Sequence, residues 1–131
     1  MKAAGRIAQA KPNYSVQPPV PLAGHSQQIR ATLNGTRQIA GSVDIRASDP
    51  RKGFIANLKV DQEHRRRGVA AQLIDAAVNT ARRQGFSSIS LEARPSDNGI
   101  TSQALVAMYR RQGFKSVGRS QRGSPLMERK L

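Results

Sequence analysis

Val60-Asp61-Gln62-Glu63-His64-Arg65-Arg66-Arg67-Gly68-Val69-Ala70 is the stretch on which the reading of this chain turns. A β-prone run ends at Val60, a short basic loop follows, and a helical apolar pattern opens at Gly68. The first turn of a helix has backbone N–H groups with no partner inside the helix, at the positive end of its macrodipole. A pyrophosphate at such a corner is held by those N–H groups, and a glycine there lets it approach the main chain closely. Arg65, Arg66 and Arg67 would add charge-assisted bonds to the same anion. The plainer description is a solvated charge run ahead of an ordinary helix, and spacing alone does not choose between the two.

Downstream of the corner, Val69, Leu73 and Ala77 form one i, i+4 row and Ala70, Ile74, Val78 and Ala81 another, together a wide stripe that fits against a sheet. Arg82 and Arg83 suit the negative end of that helix, and Gly85 suits its stop. Upstream, Gln28 to Leu33 alternates polar and apolar, Asn34-Gly35 is a strong hairpin signal, and Ile39 to Ile45 alternates again. A turn over 48–53 and a third strand from Phe54 to Val60 complete an antiparallel meander. Beyond the helix, Phe86 to Ala93 alternates, with Ile89, Leu91 and Ala93 on one face and Ser88, Ser90 and Glu92 on the other. A loop over 95–99 leads to a second helix with Leu105, Met108, Tyr109 and Gln112 at helical spacing, stopping at Gly113. Residues 114–118 and 126–131 read as two last strands around Arg122-Gly123-Ser124-Pro125. The expected order is β-β-β-α-β-α-β-β, an α/β (α+β) mixed sheet with helices packed on it.

Residues 1–26 are set apart as a proline-rich basic arm, and residues 27–131 as one domain. Four of the seven prolines fall in the arm, which forbids regular ladders and favours extended chain, with a short helical turn over 2–10. The arm reads as a disordered leader, as a strap around a neighbouring subunit in a homodimer or larger assembly, or as an export segment.

Composition narrows the function. The chain has 131 residues, 37% hydrophobic, with aromatics only 4% and no tryptophan, so its core must be aliphatic and alanine-rich. With no cysteine, disulfide scaffolds, cysteine zinc sites and thiol catalysis are excluded. No apolar run reaches the roughly 18 residues of a membrane span, and no secretory leader is evident, so a soluble protein with no membrane partner is expected. Lys and Arg number 22 against 8 Asp and Glu, a formal charge of +14. The excess is spread, +6 over residues 1–54 and +8 over 55–131, so it is not a detachable tail. Such a field attracts polyanions, whether nucleic acid, an anionic surface or a phosphate-bearing cofactor.

Leu58-x-Val60-Asp61 followed by Arg65-x-x-Gly68-x-Ala70 resembles the acetyl-CoA signature Q/R-x-x-G-x-G/A of the GNAT family of N-acetyltransferases. Three more segments follow in that family's order. Leu91-Glu92-Ala93-Arg94 is similar to its fifth strand, Ala104 to Phe114 to its helix-to-strand junction through Tyr109 and Gly113-Phe114, and Ser124 to Leu131 to its terminal strand. The resemblance covers about residues 28–131 and implies a GNAT-like acyl-CoA N-acyltransferase fold. It implies acetyl-CoA as cosubstrate, no metal, and direct attack of an acceptor amine on the thioester. Carried over, Leu58, Lys59 and Val60 offer backbone bonds to pantetheine, Arg66, Arg67, Gly68, Val69 and Ala70 cradle the pyrophosphate, and Arg65 takes the signature's polar position. N–H groups near Leu58 and Lys59 would meet the developing oxyanion, and Tyr109 would protonate the coenzyme's sulfur. Glu92 is the candidate base, with a solvated carboxylate or a partner for Arg94 as its plainer role; Tyr109 equally fits a packing role. Glu63 and His64 read as structural, and Asn57 as a holder of a relay water.

Two features depart from the family. The strand and helix pair that usually precede the meander, and wall the acceptor site, are not legible, and Ser102 stands where an asparagine is usual. Thin base supply favours an α-amine, near 7.7–8.0, over a lysine near 10.4. Acceptors in keeping with this are a protein N-terminus, a small molecule or an aminoacyl-tRNA, in the cytoplasm. The competing reading is a catalytically silent member of this fold in contact with nucleic acid, for example in a virion, or a secreted effector.

Overall fold

Alternation at Ser26–Leu33 (β3) and Ile39–Asp49 (β4) produces an antiparallel hairpin, and Lys52–Val60 (β5) extends it into a meander. The computed structural model describes residues 13–49, 51–95 and 101–131. The helical turn expected over 2–10 and most of the loop over 95–99 lie outside the described residues. After β5 come a 3-10 turn Gln62–His64, helix α1 Val69–Arg83, strand β6 Ser88–Glu92, helix α2 Ser102–Arg111, and strands β7 Lys115–Arg119 and β8 Pro125–Lys130. Helix α1 stops as its glycine requires. Gly85 is left-handed at φ 84, and the Phe86 N–H donates to the Ala81 carbonyl across it. Helix α2 is capped by the Thr101 hydroxyl, which accepts from the Ala104 N–H at 3.1 Å.

The arm departs from expectation. Tyr14–Val16 (β1) and Val20–Pro21 (β2) both pair antiparallel with β3. Proline forbids a ladder bond only at its own nitrogen, and on an edge strand that nitrogen faces away from the sheet. The ladder therefore breaks around Pro18-Pro19 and resumes at Val20, while the Gln17 N–H still donates to the Arg30 carbonyl at 2.8 Å. What draws this segment in is Tyr14, buried in the core and bonded to His64.

The sheet runs β1-β3-β4-β5-β6-β8-β7, with β2 beside β1 on the same edge of β3. Its one parallel pair, β5 with β6, is bridged by α1. Both helices lie on one face: the Gln112 side-chain amide at the end of α2 donates to the Ala71 carbonyl (3.0 Å) and Asp75 (3.2 Å) of α1. Between helices and sheet lies the single described core, with Ile29, Val43, Ile45, Leu73, Ile74, Val78, Ile89, Leu91, Phe114 and Met127 fully enclosed. It is aliphatic, as the composition demands. The stripe residues Val69, Leu73, Ile74, Ala77, Val78 and Ala81 are all buried in it. The opposite face carries Gln28, Arg30, Asp44, Phe54, Ser90, Glu92 and Glu128, and among the described residues no helix covers it. None of the described helices is long and apolar enough to cross a membrane.

Candidate active site

Halfway along β5 the register slips. Ser42 pairs with Lys59 and Asp44 with Ala56, so the single residue Val43 faces two residues, Asn57 and Leu58. Asn57 sits at φ 54, the left-handed region that asparagine enters more readily than most side chains. The result is a β-bulge, which bends its strand and re-aims the residues that follow. On the other edge of β5, the parallel ladder to β6 runs from Lys52↔Ser88 to Ile55↔Leu91 and ends there. Beyond it, β5 pairs onward with β4 alone, through Lys59 and Val60, while β6 pairs with β8 through Glu92↔Leu126. The strands part. Among the described residues, the edge of 56–60 that faces β6 has no strand partner. Leu58 and Val60 are half-buried against the core, and Lys59 is exposed.

The chain then turns into α1 through a corner built by backbone geometry. Gly68 is the N-cap residue at φ 81, and Arg66 is the second left-handed non-glycine residue, at φ 64. The first helical donor with a backbone acceptor is the Gln72 N–H, to Gly68 at 3.1 Å; among the described residues the N–H groups of 66–71 have none. A Cβ built on Gly68 meets nothing within 4 Å, so the space over the corner is open. Arg66 and Arg67 are exposed around it, with Val69 buried beneath and Ala70 half-buried. Arg65 turns back, its Nε–H donating to the Val60 carbonyl at 3.0 Å, and so ties the strand end to the loop. His64 is buried beneath the corner. The Gln38 side-chain amide donates to its Nε2 at 3.2 Å, leaving the Nδ1–H to donate to the Tyr14 hydroxyl oxygen at 2.9 Å. The rings meet edge to face, centroids 5.4 Å apart. The structural role expected of His64 is the one it has.

Glu92 is the first residue of β6 past the last pair with β5. It is half-buried and accepts a hydrogen bond from the Ser120 hydroxyl, so its partner is Ser120 in the β7–β8 turn and not Arg94. Tyr109 is 5% exposed and stacks at a tilt on Phe114, centroids 6.1 Å apart. Burial pushes its phenol up to about 12. Its hydroxyl has no hydrogen-bond partner among the described residues. Gln112, one turn on, docks this end of α2 against the first turns of α1.

Asp44 escaped the sequence reading. It is 7% exposed and accepts from the side-chain amides of Asn57 and Gln28. The only signal was one acid between two core aliphatics, Val43 and Ile45. Asn57, expected to hold a water, instead gives its amide to this carboxylate. Two surface grooves are also present, about 420 Å³ beside Arg110, Arg119 and Arg122 and about 650 Å³ between Ala71, Asp75 and Gln112; neither is lined by a residue of β5 or β6.

An unpartnered strand edge leads to a helix corner with free N–H groups, with Glu92 at the end of β6 and Tyr109 on α2. The set can hold an extended polar chain ending in a diphosphate. Comparison with known proteins identifies the fold and the family. Human N-acetyltransferase 8 is 39% identical over 64 residues, which is 49% of this chain and 26% of that protein, so the match spans about a quarter of the relative's length. A GNAT family acetyltransferase from Elizabethkingia anophelis, solved with acetyl-CoA bound, superposes with a TM-score of 0.72 at 13% identity, covering 92% of this chain and all of that one. The ribosomal-protein-S18-alanine N-acetyltransferase of Escherichia coli superposes with a TM-score of 0.67 at 18% identity, over 84% of this chain and 72% of that one. The acetyltransferase (GNAT) family itself matches residues 15–114, and on that span the chain belongs to it.

Proposed function

We propose that the chain binds acetyl-CoA in the opening between β5 and β6 and transfers its acetyl group to an acceptor amine. The observation that carries this reading is the end of the parallel ladder at Ile55↔Leu91. It leaves the 56–60 edge of β5 without a strand partner, next to a helix corner with unpaired N–H groups. Acetyl-CoA supplies an acetyl group activated as a thioester. Leu58, Lys59 and Val60 hold the pantetheine arm as a further strand would be held, although the Val60 carbonyl already accepts from Arg65. The N–H groups of Arg66 through Ala70 meet the pyrophosphate, with the Arg66 and Arg67 side chains adding charge. The Leu58 and Lys59 N–H groups serve the carbonyl oxygen as negative charge develops there.

Glu92 takes one proton from the acceptor ammonium, directly or through water. The neutral amine forms a C–N bond to the thioester carbon, the C–S bond breaks, and the second proton lost by the nitrogen ends on the departing sulfur, which leaves as the thiol. Tyr109 donates a hydrogen bond to that sulfur; its phenol, at about 12, is a weaker acid than a thiol near 8.5, so Tyr109 keeps its own proton in the end. With Glu92 as the one carboxylate assigned to take the proton, the site suits an α-amine, a better acceptor at neutral pH than a lysine.

Thermal melting with added acetyl-CoA tests the reading. At one hundred times Kd, binding stabilises the fold by about 2.7 kcal/mol, which appears as a rise in Tm. Gly68→Asp puts a side chain and a negative charge into the open space over the corner and abolishes that rise. Acetylated products in a lysate, found by mass spectrometry, then identify the acceptor. No rise in Tm with the wild-type chain sinks the proposal and leaves a basic scaffold of the same fold.

A further inference from the structure

A chain of side-chain hydrogen bonds crosses three strands on the open face of the sheet. Arg30 Nε–H donates to Gln28 Oε1 (2.9 Å), Gln28 Nε2–H to Asp44 Oδ1 (3.1 Å), and Asn57 Nδ2–H to Asp44 Oδ2 (2.8 Å). Arg30 and Gln28 belong to β3, Asp44 to β4, and Asn57 is the left-handed residue of the β5 bulge. Asp44 is the one carboxylate among the buried residues described. Enclosing a carboxylate is costly unless its oxygens are hydrogen-bonded, and here each oxygen has its own amide donor. The guanidinium of Arg30, one amide away, offsets the charge.

A bulge can be placed at any of several neighbouring residues, and moving it by one turns every following side chain to the other face and re-aims the backbone N–H groups. Of Ala56, Asn57 and Leu58, asparagine takes positive φ most readily, and the Asp44–Asn57 bond adds to that preference, because Asp44 stands on the neighbouring strand paired with Ala56, immediately before the slip. We propose that Asp44 is a positioning residue: through Asn57 it decides which residue bulges, and so where the Leu58 and Lys59 N–H groups point. The catalytic part of this inference rests on the opening being the acetyl-CoA site; the structural part does not.

The test uses Asp44→Ala, Asn57→Gly and the exchanged pair Asp44→Asn with Asn57→Asp. Asn57→Gly keeps freedom of backbone at positive φ and loses only the bond; the exchanged pair restores one with donor and acceptor reversed. Two readouts are taken: the backbone chemical shifts and HN–Hα couplings of residues 56–58 without ligand, which report which residue holds positive φ, and kcat and KM for transfer from acetyl-CoA to a short peptide beginning with a free alanine. In Asp44→Ala residue 57 no longer holds positive φ as a single state, while the shifts of α1 stay as in the wild type. Its kcat falls about a hundred-fold, the size expected when a reacting group is misplaced by about 1 Å, and its acetyl-CoA affinity falls as well, because Leu58 to Val60 follow the bulge. Asn57→Gly loses kcat in the same direction, and the exchanged pair recovers most of both losses. An unchanged positive φ at residue 57 in Asp44→Ala overturns the proposal. Should that variant fail to fold, the same outcome in Asp44→Ser overturns it equally. A wild-type protein that ignores acetyl-CoA defeats the functional reading, while the backbone result still decides the positioning role.

Discussion

Burial raises the Tyr109 phenol to about 12, and that shift bears on both catalysis and stability. In the proposed mechanism Tyr109 stays protonated throughout the working range, so a fall in rate at alkaline pH below about 12 would come from another group. In stability the sign is opposite to that of a salt-bridged carboxylate. Below pH 10 the phenol is neutral in folded and unfolded chain alike. Between 10 and 12 the unfolded chain releases its proton while the folded one keeps it, and the folded state loses about 2 to 3 kcal/mol. Tyr109→Phe should remove that loss. Urea unfolding of both proteins at pH 9 and near 12 measures it, and parallel behaviour would mean the phenol is not desolvated. At this scale the legible residues were those fixed by local pattern: Gly68, Gly85, Tyr109 at helical spacing, Glu92 on the polar side of its strand. Asp44 was not legible, because its burial is made by Gln28 and Asn57, each more than ten residues away in sequence.

Among the elements, the hairpin, both helices and the order of strands follow from alternation, helical period and turn residues. The arm shows where such reasoning runs short. Proline content argued against a ladder, yet an edge strand tolerates proline, and the gain from enclosing Tyr14 lies in tertiary contacts that no local window contains. Tyr14 also holds His64, and thereby the loop that leads to the corner at Gly68. Tyr14→Phe should cost about 1 to 3 kcal/mol, because it leaves a buried His64 ring nitrogen without its partner. Tyr14→Ala should cost roughly 3 kcal/mol, as for other large buried rings. Both are read from denaturant unfolding. A Tyr14→Ala protein as stable as the wild type would return the arm to the status of a leader.

For the whole molecule, the charge of +14 is the dominant property outside the site. It should support loose binding of any nucleic acid at low salt. A mixed-sequence DNA duplex bound at about 50 mM salt should lose a thousand-fold or more in affinity by about 200 mM, whereas acetyl-CoA, held mainly by backbone groups, should lose far less. Duplex binding that survives at the higher salt would point to a dedicated nucleic-acid partner. What the amino-acid sequence determined alone was whatever depends on near neighbours: the period of each element, the glycine at the corner, the alanine-rich aliphatic core and the sign of the surface field. Family membership followed, since its signature lies in such local runs. The tertiary structure decided how far β5 and β6 stay paired, which residue bulges, which carboxylate is enclosed and whether the arm joins the sheet. Each of those is a balance between contacts made by residues distant along the chain, and only the packed fold brings them within reach of one another.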